Sequence, residues 1–475
     1  MKKGMKGVSP ELEVLAKFAV DTTWEDLPAS VVHETKRLLL DTIGCAFTGI
    51  SVDPGKMIIT LARRFGGPPE STVIGVGHKV SVSTAVLANG QLINATDYDA
   101  FAGGGHGPGY LIPGPLAMAE SKGASGKELI LATAVAVEIA TRVKNAVRPL
   151  IEGKRLNYDY MIHGREGYAN CNFGAAAGMG KLIHLDQQRM MHALSIAGHA
   201  CEVLTWTHVS LQHRGHPLKY GIPGWQGTGA VMAVLLAEMG YVGDLDVFNP
   251  EHGYWKFAGY GDWKPEHITN GLGEKWNLDA GGVTYKPHIC CRIYHAALDA
   301  FYEIIEKNNL TPEDIKSVKV IRPIGPDWTG LFKNTEIENI VDAQFSIPYN
   351  FSCAAHRIKP GVEWQDIDTM RDPKILAFMK KVSVTGPEAP TSHVGMQRVE
   401  VEAKGKVFAE ERTLARGGAT SSSGNVQLTD AELEVKFRHN SVRILSETKI
   451  DRAVNTLWSL EKIKNVKELI DRITL

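Results

Sequence analysis

Four things are scarce in this 475-residue chain: a long apolar run, a net charge, paired cysteines and a nucleotide-binding glycine motif. The longest apolar stretch, LILATAVAVEIATRV at 129–143, is short and carries Glu138, so it reads as a buried helix rather than a membrane span. Lysine plus arginine count 52 against 53 acids, a net charge of −1, which gives no pull toward nucleic acid or an anionic bilayer. Six cysteines form no C-x-x-C pair, which argues against structural zinc and iron–sulfur clusters and points to reduced, buried thiols of a cytoplasmic protein. The opening MKKGMKGVSPELEVLAKF has lysines but no apolar core before Glu11, unlike a secretory signal. GGGHGPG at 103–109 fits G-x-G-x-x-G in no register and lacks the Lys-Ser/Thr pair of a phosphate loop. A G-x-S-x-G nucleophile turn is missing too.

What is present indicates two or more folding units. Up to about residue 280 the pattern is helical. VVHETKRLLLDTIGCAFTG (31–49) places Leu39, Ile43, Ala46 and Phe47 on one face, and the Ala/Gly-rich stretches 174–198 and 227–241 suit close helix packing. After 280, SVKVIRP (317–323) alternates like a strand, and 397–415 reads as a hairpin turning at Gly405. Short helices are expected near 295–308, 336–356 and 372–381. RGGATSSSGN (416–425) reads as a connection, and helical periodicity returns after Thr429 and Asp430. The expected fold is mainly α: a large all-helical domain from residues 1–280 and 414–475, with an inserted, smaller α+β lid domain at 281–413.

The chemistry-bearing residues cluster unevenly. ATDYDAFAGGGHGPGYLIPG (95–114) sets Asp97 and Asp99 ahead of His106, which sits among glycines that permit close approach. An imidazole there can move a proton near neutral pH, with a carboxylate fixing its tautomer. Lys219, in HPLKYGIPGWQG, and Lys286, in VTYKPHICCRIYHAALDA, stand among prolines, glycines and aromatics, and each could hold a carboxylate or phosphate. His208, His213 and His216 lie close together without an acid or cysteine at ligand spacing, so no metal site is expected.

Six segments in order resemble the MmgE/PrpD family of 2-methylcitrate dehydratases, cis-aconitate decarboxylases and iminodisuccinate epimerases. They are LLLDTIGCAFTG, ANGQLINATDYD with HGPGYLIPGPLAMAE, LKYGIPGWQGTGAVMAVLLAEMG, YKPHICCRIYHAALDA, IVDAQFSIPYNFSCAA and LTDAELEVKF. The resemblance implies a helical domain with an inserted lid, a homodimer, no cofactor, and an active site between the two domains. It also implies the site residues: His106, Asp97 and Tyr349 as catalytic groups, Lys219 and Lys286 as ligands of a small-molecule carboxylate substrate, and no metal.

Two lysines would offset the charge that develops beside a carboxylate, His106 would carry the proton, Asp97 would orient it, and Tyr349 would serve the opposite face. The implied activity is a lyase, dehydratase or decarboxylase. An epimerase, or a carboxylate binder without catalysis, is the alternative. Departures narrow the substrate. The family's Asp-Asp-Thr is here Asp99, Ala100, Phe101, without the groups that would position 2-methylcitrate, and HGREGYAN (163–170) replaces the usual His-Pro-Thr, so His163 receives no role. Phe101, Tyr158, Tyr160 and Tyr168 either line a bulkier pocket or pack in the core.

Overall fold

The computed structural model describes residues 7–147, 168–200, 218–219, 221–258, 260, 262–279, 282–322, 329–386, 396–418 and 426–475. Tyr158, Tyr160, His163, Cys201, His208, His213 and His216 lie outside them. Among the described residues no helix is long and apolar enough to cross a membrane.

The helical part is laid down by amphipathic or small-residue segments with local start signals. Helix α1 spans Pro10–Asp21, α2 Ala29–Ser51 and α3 Asp53–Phe65. A two-residue ladder pairs β1 (Ser71–Thr72) with β2 (Lys79–Val80). Helix α4, Val82–Asn94, starts where the Ser81 hydroxyl accepts the Thr84 N–H. It is followed by α5 (Pro108–Leu111), α6 (Pro113–Lys122) and α7 (Gly126–Ala146), the last opened by a Ser125/Glu128 capping box.

The 174–198 stretch is not one helix. It splits into α8 (Ala169–Leu182) and α9 (Gln187–His199), with His184 at φ 56° and the Asp186 carboxylate accepting the Arg189 N–H. Apolar periodicity runs across the break, so only the cap at Asp186 marks it. Helix α10, Pro223–Glu238, packs against α4, and α8 packs against α7.

A second apolar core gathers residues 289–403. Helix α11 (His295–Lys307) lies on a sheet of order β4-β3-β5-β6, built from β3 (Ile315–Ile321), β4 (Val382–Thr385), β5 (Gln397–Ala403) and β6 (Lys406–Arg412). Strands β3 and β4 run parallel, and the other pairs are antiparallel. The inward positions of β5 are Gln397, Val399, Val401 and Ala403, the alternation that buries one face of a sheet. The β5–β6 hairpin turns at Lys404 and Gly405, as its sequence predicts. The 336–356 segment divides into α12 (Ile340–Phe345) and α13 (Ile347–Ala355), because the Ser346 hydroxyl accepts the Tyr349 N–H and starts the second helix. Leu428, Leu433, Phe437 and the apolar residues onward to Ile473 rejoin the first core. They do so through α14 (Asp430–Ser441), which packs on α2, and α15 (Glu447–Trp458). The five described cysteines, Cys45, Cys171, Cys290, Cys291 and Cys353, are buried and form no disulfide with one another.

Candidate active site

Helix α4 ends at Asn94, and the chain turns sharply so that Asp97, at φ 56°, donates its N–H to the Asn94 carbonyl at 3.1 Å. A left-handed non-glycine residue costs on the order of 1 kcal/mol, and Lys219, at φ 47°, is another. Two strained residues therefore face each other. Past the turn, Phe101 exchanges backbone hydrogen bonds with Thr284 at 2.7 and 3.0 Å, which sets Lys286 beside Asp97 across 189 positions of sequence. Ala102 bonds Gly105 and Gly107 in a tight reversal that Gly103 (φ 66°) and Gly104 (φ 88°) make possible, and this returns His106 toward the same spot.

Four of the five site residues expected from sequence meet there. The Lys286 ammonium donates to Asp97 Oδ2 at 2.8 Å, and Lys219 Nζ lies 3.8 Å from Asp97 Oδ1. Lys219 also donates to the Asn94 carbonyl at 2.7 Å, a cation on the last turn of α4. The His106 ring stands 4.0 Å from Phe101, and its Nδ1 lies 3.9 Å from Asp99 Oδ2. Asn94 Nδ2 holds the other Asp99 oxygen at 3.0 Å. Asp97, Asp99 and Lys286 are fully buried, and His106 and Lys219 nearly so.

Burial and charge set distinct states on these groups. Burial alone would raise the Asp97 carboxyl, but Lys286 and Lys219 outweigh it and hold the group below the usual range, so it is ionised. Burial pushes the Asp99 carboxyl up to about 7, with Lys286 opposing and Asp97 adding to the rise. Burial, then the two lysine charges, keep His106 well below its ordinary value, so the imidazole is neutral at pH 7. Burial also lowers the Lys219 ammonium, against the pull of Asp97 and Asp99. The result is a carboxyl that titrates near neutrality, Asp99, 3.9 Å from a neutral imidazole, beside two lysines held by one carboxylate.

Two expectations change. The carboxylate closest to the imidazole is Asp99, whereas Asp97 engages the lysines and acts on His106 through its field. Tyr349 is not part of the cluster. It is buried in the second core, and its hydroxyl donates to the Trp364 carbonyl at 2.6 Å. The residue of that motif that reaches the site is Gln344. Its Nε2 donates to the Ala95 carbonyl and to Gln365 Oε1, both at 2.9 Å, while Gln365 donates to the Thr96 carbonyl at 2.8 Å. These two glutamines tie the second core to the turn that carries Asp97. The DAQFSIPY run is the only signal the sequence offers for this amide, and it does not set Gln344 apart from its neighbours. Lys436 of the LTDAELEVKF segment has no local signature either; it donates to Asp41 at 2.7 Å and to the Tyr98 carbonyl at 2.9 Å, bracing the backbone between Asp97 and Asp99. Tyr168 is at the site, its ring 6.4 Å from His106 and 4.6 Å from Tyr110. Among the described residues no group of three or more metal-ligating side chains is arranged to hold an ion.

A model of the MmgE/PrpD N-terminal domain matches residues 13–266, and one of the C-terminal domain matches residues 288–461. The chain belongs to the MmgE/PrpD family. Within the family it is 26% identical to a cis-aconitate decarboxylase of Aspergillus terreus over 330 residues, 64% of this chain and 63% of that protein. The match thus spans less than two thirds of the length of that relative. It is also 22% identical over 467 residues to the cis-aconitate decarboxylase of Homo sapiens, covering 92% and 89% of the two chains. A cis-aconitate decarboxylase-like protein of Aspergillus oryzae is 24% identical over 97% of this chain and 96% of its own. These relatives are named as cis-aconitate decarboxylases or as like them.

Proposed function

We propose that this protein is a cofactor-independent lyase of small carboxylic acids, with decarboxylation of an unsaturated acid such as cis-aconitate as the leading reaction and dehydration as the second. The observation that carries this reading is the burial of Lys219, Lys286, ionised Asp97, the elevated carboxyl of Asp99 and neutral His106 in one cluster. Lys219 and Lys286 take a substrate carboxylate. As the bond to the departing carbon dioxide breaks, its electron pair stays on the remaining carbon and spreads toward that bound carboxylate. The two ammonium groups, in a site closed to water, counter the growing charge. His106 and Asp99 then give that carbon a proton, which solvent restores. Asp97 keeps both lysines in place. Tyr349 has no part in the proton transfer, because its hydroxyl is already committed.

In the same reading, residues 281–413 serve as the lid over the site, and the setting is cytoplasmic, in keeping with five buried cysteines that form no disulfide with one another. The protein acts as a homodimer in which a second copy covers the apolar stripe of α10. Trp225 (63% exposed) and Met232 (61%) on the helix and Met239 (79%) at its C-cap recur every seven residues.

The test is turnover of a panel of unsaturated and hydroxylated di- and tricarboxylates in the presence of a chelator. Carbon dioxide or water is released at the same rate with and without chelator, and His106→Gln lowers kcat by about 10²- to 10⁴-fold. Hydrogen exchange at an α-carbon with neither product would replace the lyase by an epimerase. Turnover that His106→Gln leaves intact would refute the assignment.

A further inference from the structure

Three arginines are buried among the described residues. Arg37 pairs with Glu34 and Asp430, and Arg142 with Glu138 and four backbone carbonyls. Arg322 differs. It follows the end of β3, its backbone N–H bonds the Thr385 carbonyl at 3.1 Å, and its side chain packs 5.7 Å over the Phe332 ring. Its Nε and Nη1 are shut off from solvent, and neither has a hydrogen-bond partner among the described residues. A guanidinium taken out of water without a counter-ion is strongly unfavourable, so its retention calls for an anion that arrives from outside.

The position says which anion. Phe332 meets Tyr294 at 6.0 Å and Phe345 at 6.3 Å. Tyr294 donates to the Gln344 carbonyl at 2.8 Å, and Gln344 reaches Ala95, two residues before Asp97. The Cys291 thiol, raised to about 11 by burial, lies within the electrostatic reach of Asp97, Lys286 and Arg322. Burial likewise brings the Arg322 guanidinium down to about 10. With Asp99 protonated, Lys219 and Lys286 against Asp97 leave one positive charge at the cluster, and Arg322 adds another.

We propose that Arg322 binds a second carboxylate of the substrate, remote from the one held by Lys219 and Lys286, and so selects di- and tricarboxylates over monocarboxylates. A carboxylate offers two acceptor oxygens in the plane of the guanidinium fork, the geometry for which arginine is better suited than lysine. This rests on the reading above only in taking the two lysines as the first carboxylate site.

Binding tests it without requiring turnover. Propane-1,2,3-tricarboxylate and butyrate are titrated by ligand-observed NMR into wild type, Arg322→Gln, Arg322→Lys and His106→Gln. Wild type and His106→Gln hold the tricarboxylate alike and much more tightly than butyrate. Arg322→Gln weakens the tricarboxylate about tenfold or more and leaves butyrate unchanged, and Arg322→Lys gives an intermediate loss. If Arg322→Gln does not fold, by circular dichroism, the lysine variant decides alone, with a loss of about threefold expected for the tricarboxylate only. Equal losses for both ligands, no loss in either variant, or a wild type that holds the tricarboxylate no better than butyrate would overturn the assignment. Tight tricarboxylate binding that Arg322→Gln abolishes, in a protein that turns over none of the panel, would refute the lyase and leave Arg322 in its role.

Discussion

Asp99 has no access to water, and burial raises its carboxyl to about 7, with Asp97 adding to the rise against Lys286. Its folded value lies above the value near 3.8 of the free group, so the native state binds this proton more tightly than the unfolded chain. The stability it confers is full below about pH 4, fades as pH rises toward 7, and is gone above that. Asp99→Asn keeps an oxygen for Asn94 Nδ2 and cannot ionise. In urea titrations the variant is more stable than wild type at pH 8, by up to a few kcal/mol, and the advantage shrinks toward pH 4. The same substitution bears on activity. Wild-type kcat falls as pH passes through about 7 and the proton donor is lost, whereas the variant is slower throughout and shows no such limb. A wild type whose kcat is flat from pH 6 to 9 would remove Asp99 from the proton transfer.

At the scale of elements, the crossing of α4 and α10 brings Lys219 to Asp97. Their backbones touch at glycine. A β-carbon on Gly224 would lie 2.0 Å from the Leu87 carbonyl oxygen, and one on Gly90 would lie 2.6 Å from the Gly224 nitrogen. Backbone on both sides cannot yield, so Gly224→Ala pushes the start of α10 away from α4 and draws Lys219, five residues earlier, off the Asn94 carbonyl. The expected outcome is a loss of about 1–3 kcal/mol in urea unfolding together with a fall in kcat/KM. Loss of stability with full kcat/KM would mean that the position of Lys219 does not depend on this crossing.

For the whole molecule, the apolar stripe of α10 lies just beyond Lys219 in the chain, so the surface that would meet a second copy and the residue that would meet substrate belong to one segment. Met232→Glu together with Met239→Glu places two charges on that stripe and converts the homodimer to monomer in analytical ultracentrifugation, because burying an unpaired carboxylate opposes association by several kcal/mol. A wild-type protein that sediments as a monomer at micromolar concentration would refute the homodimer itself. A dimer that survives both substitutions would move its interface elsewhere.

Helical periodicity, the Thr429 start of α14, the Gly405 hairpin and the glycine reversal before His106 were all legible in the chain, because each depends on residues a few positions apart. The ordered segments likewise marked Lys219 and Lys286 as a pair. Tertiary structure decided the rest. Which aspartate faces the imidazole depends on the left-handed turn at Asp97, and the hydroxyl of Tyr349 is drawn away by a carbonyl fifteen residues later. Gln344, Lys436 and Arg322 carry no local signature, since an amide or a cation becomes meaningful only when folding strips its water and chooses its neighbours. The charge states of Asp99 and His106 follow the same rule, because desolvation is a property of the surrounding volume and not of the chain order.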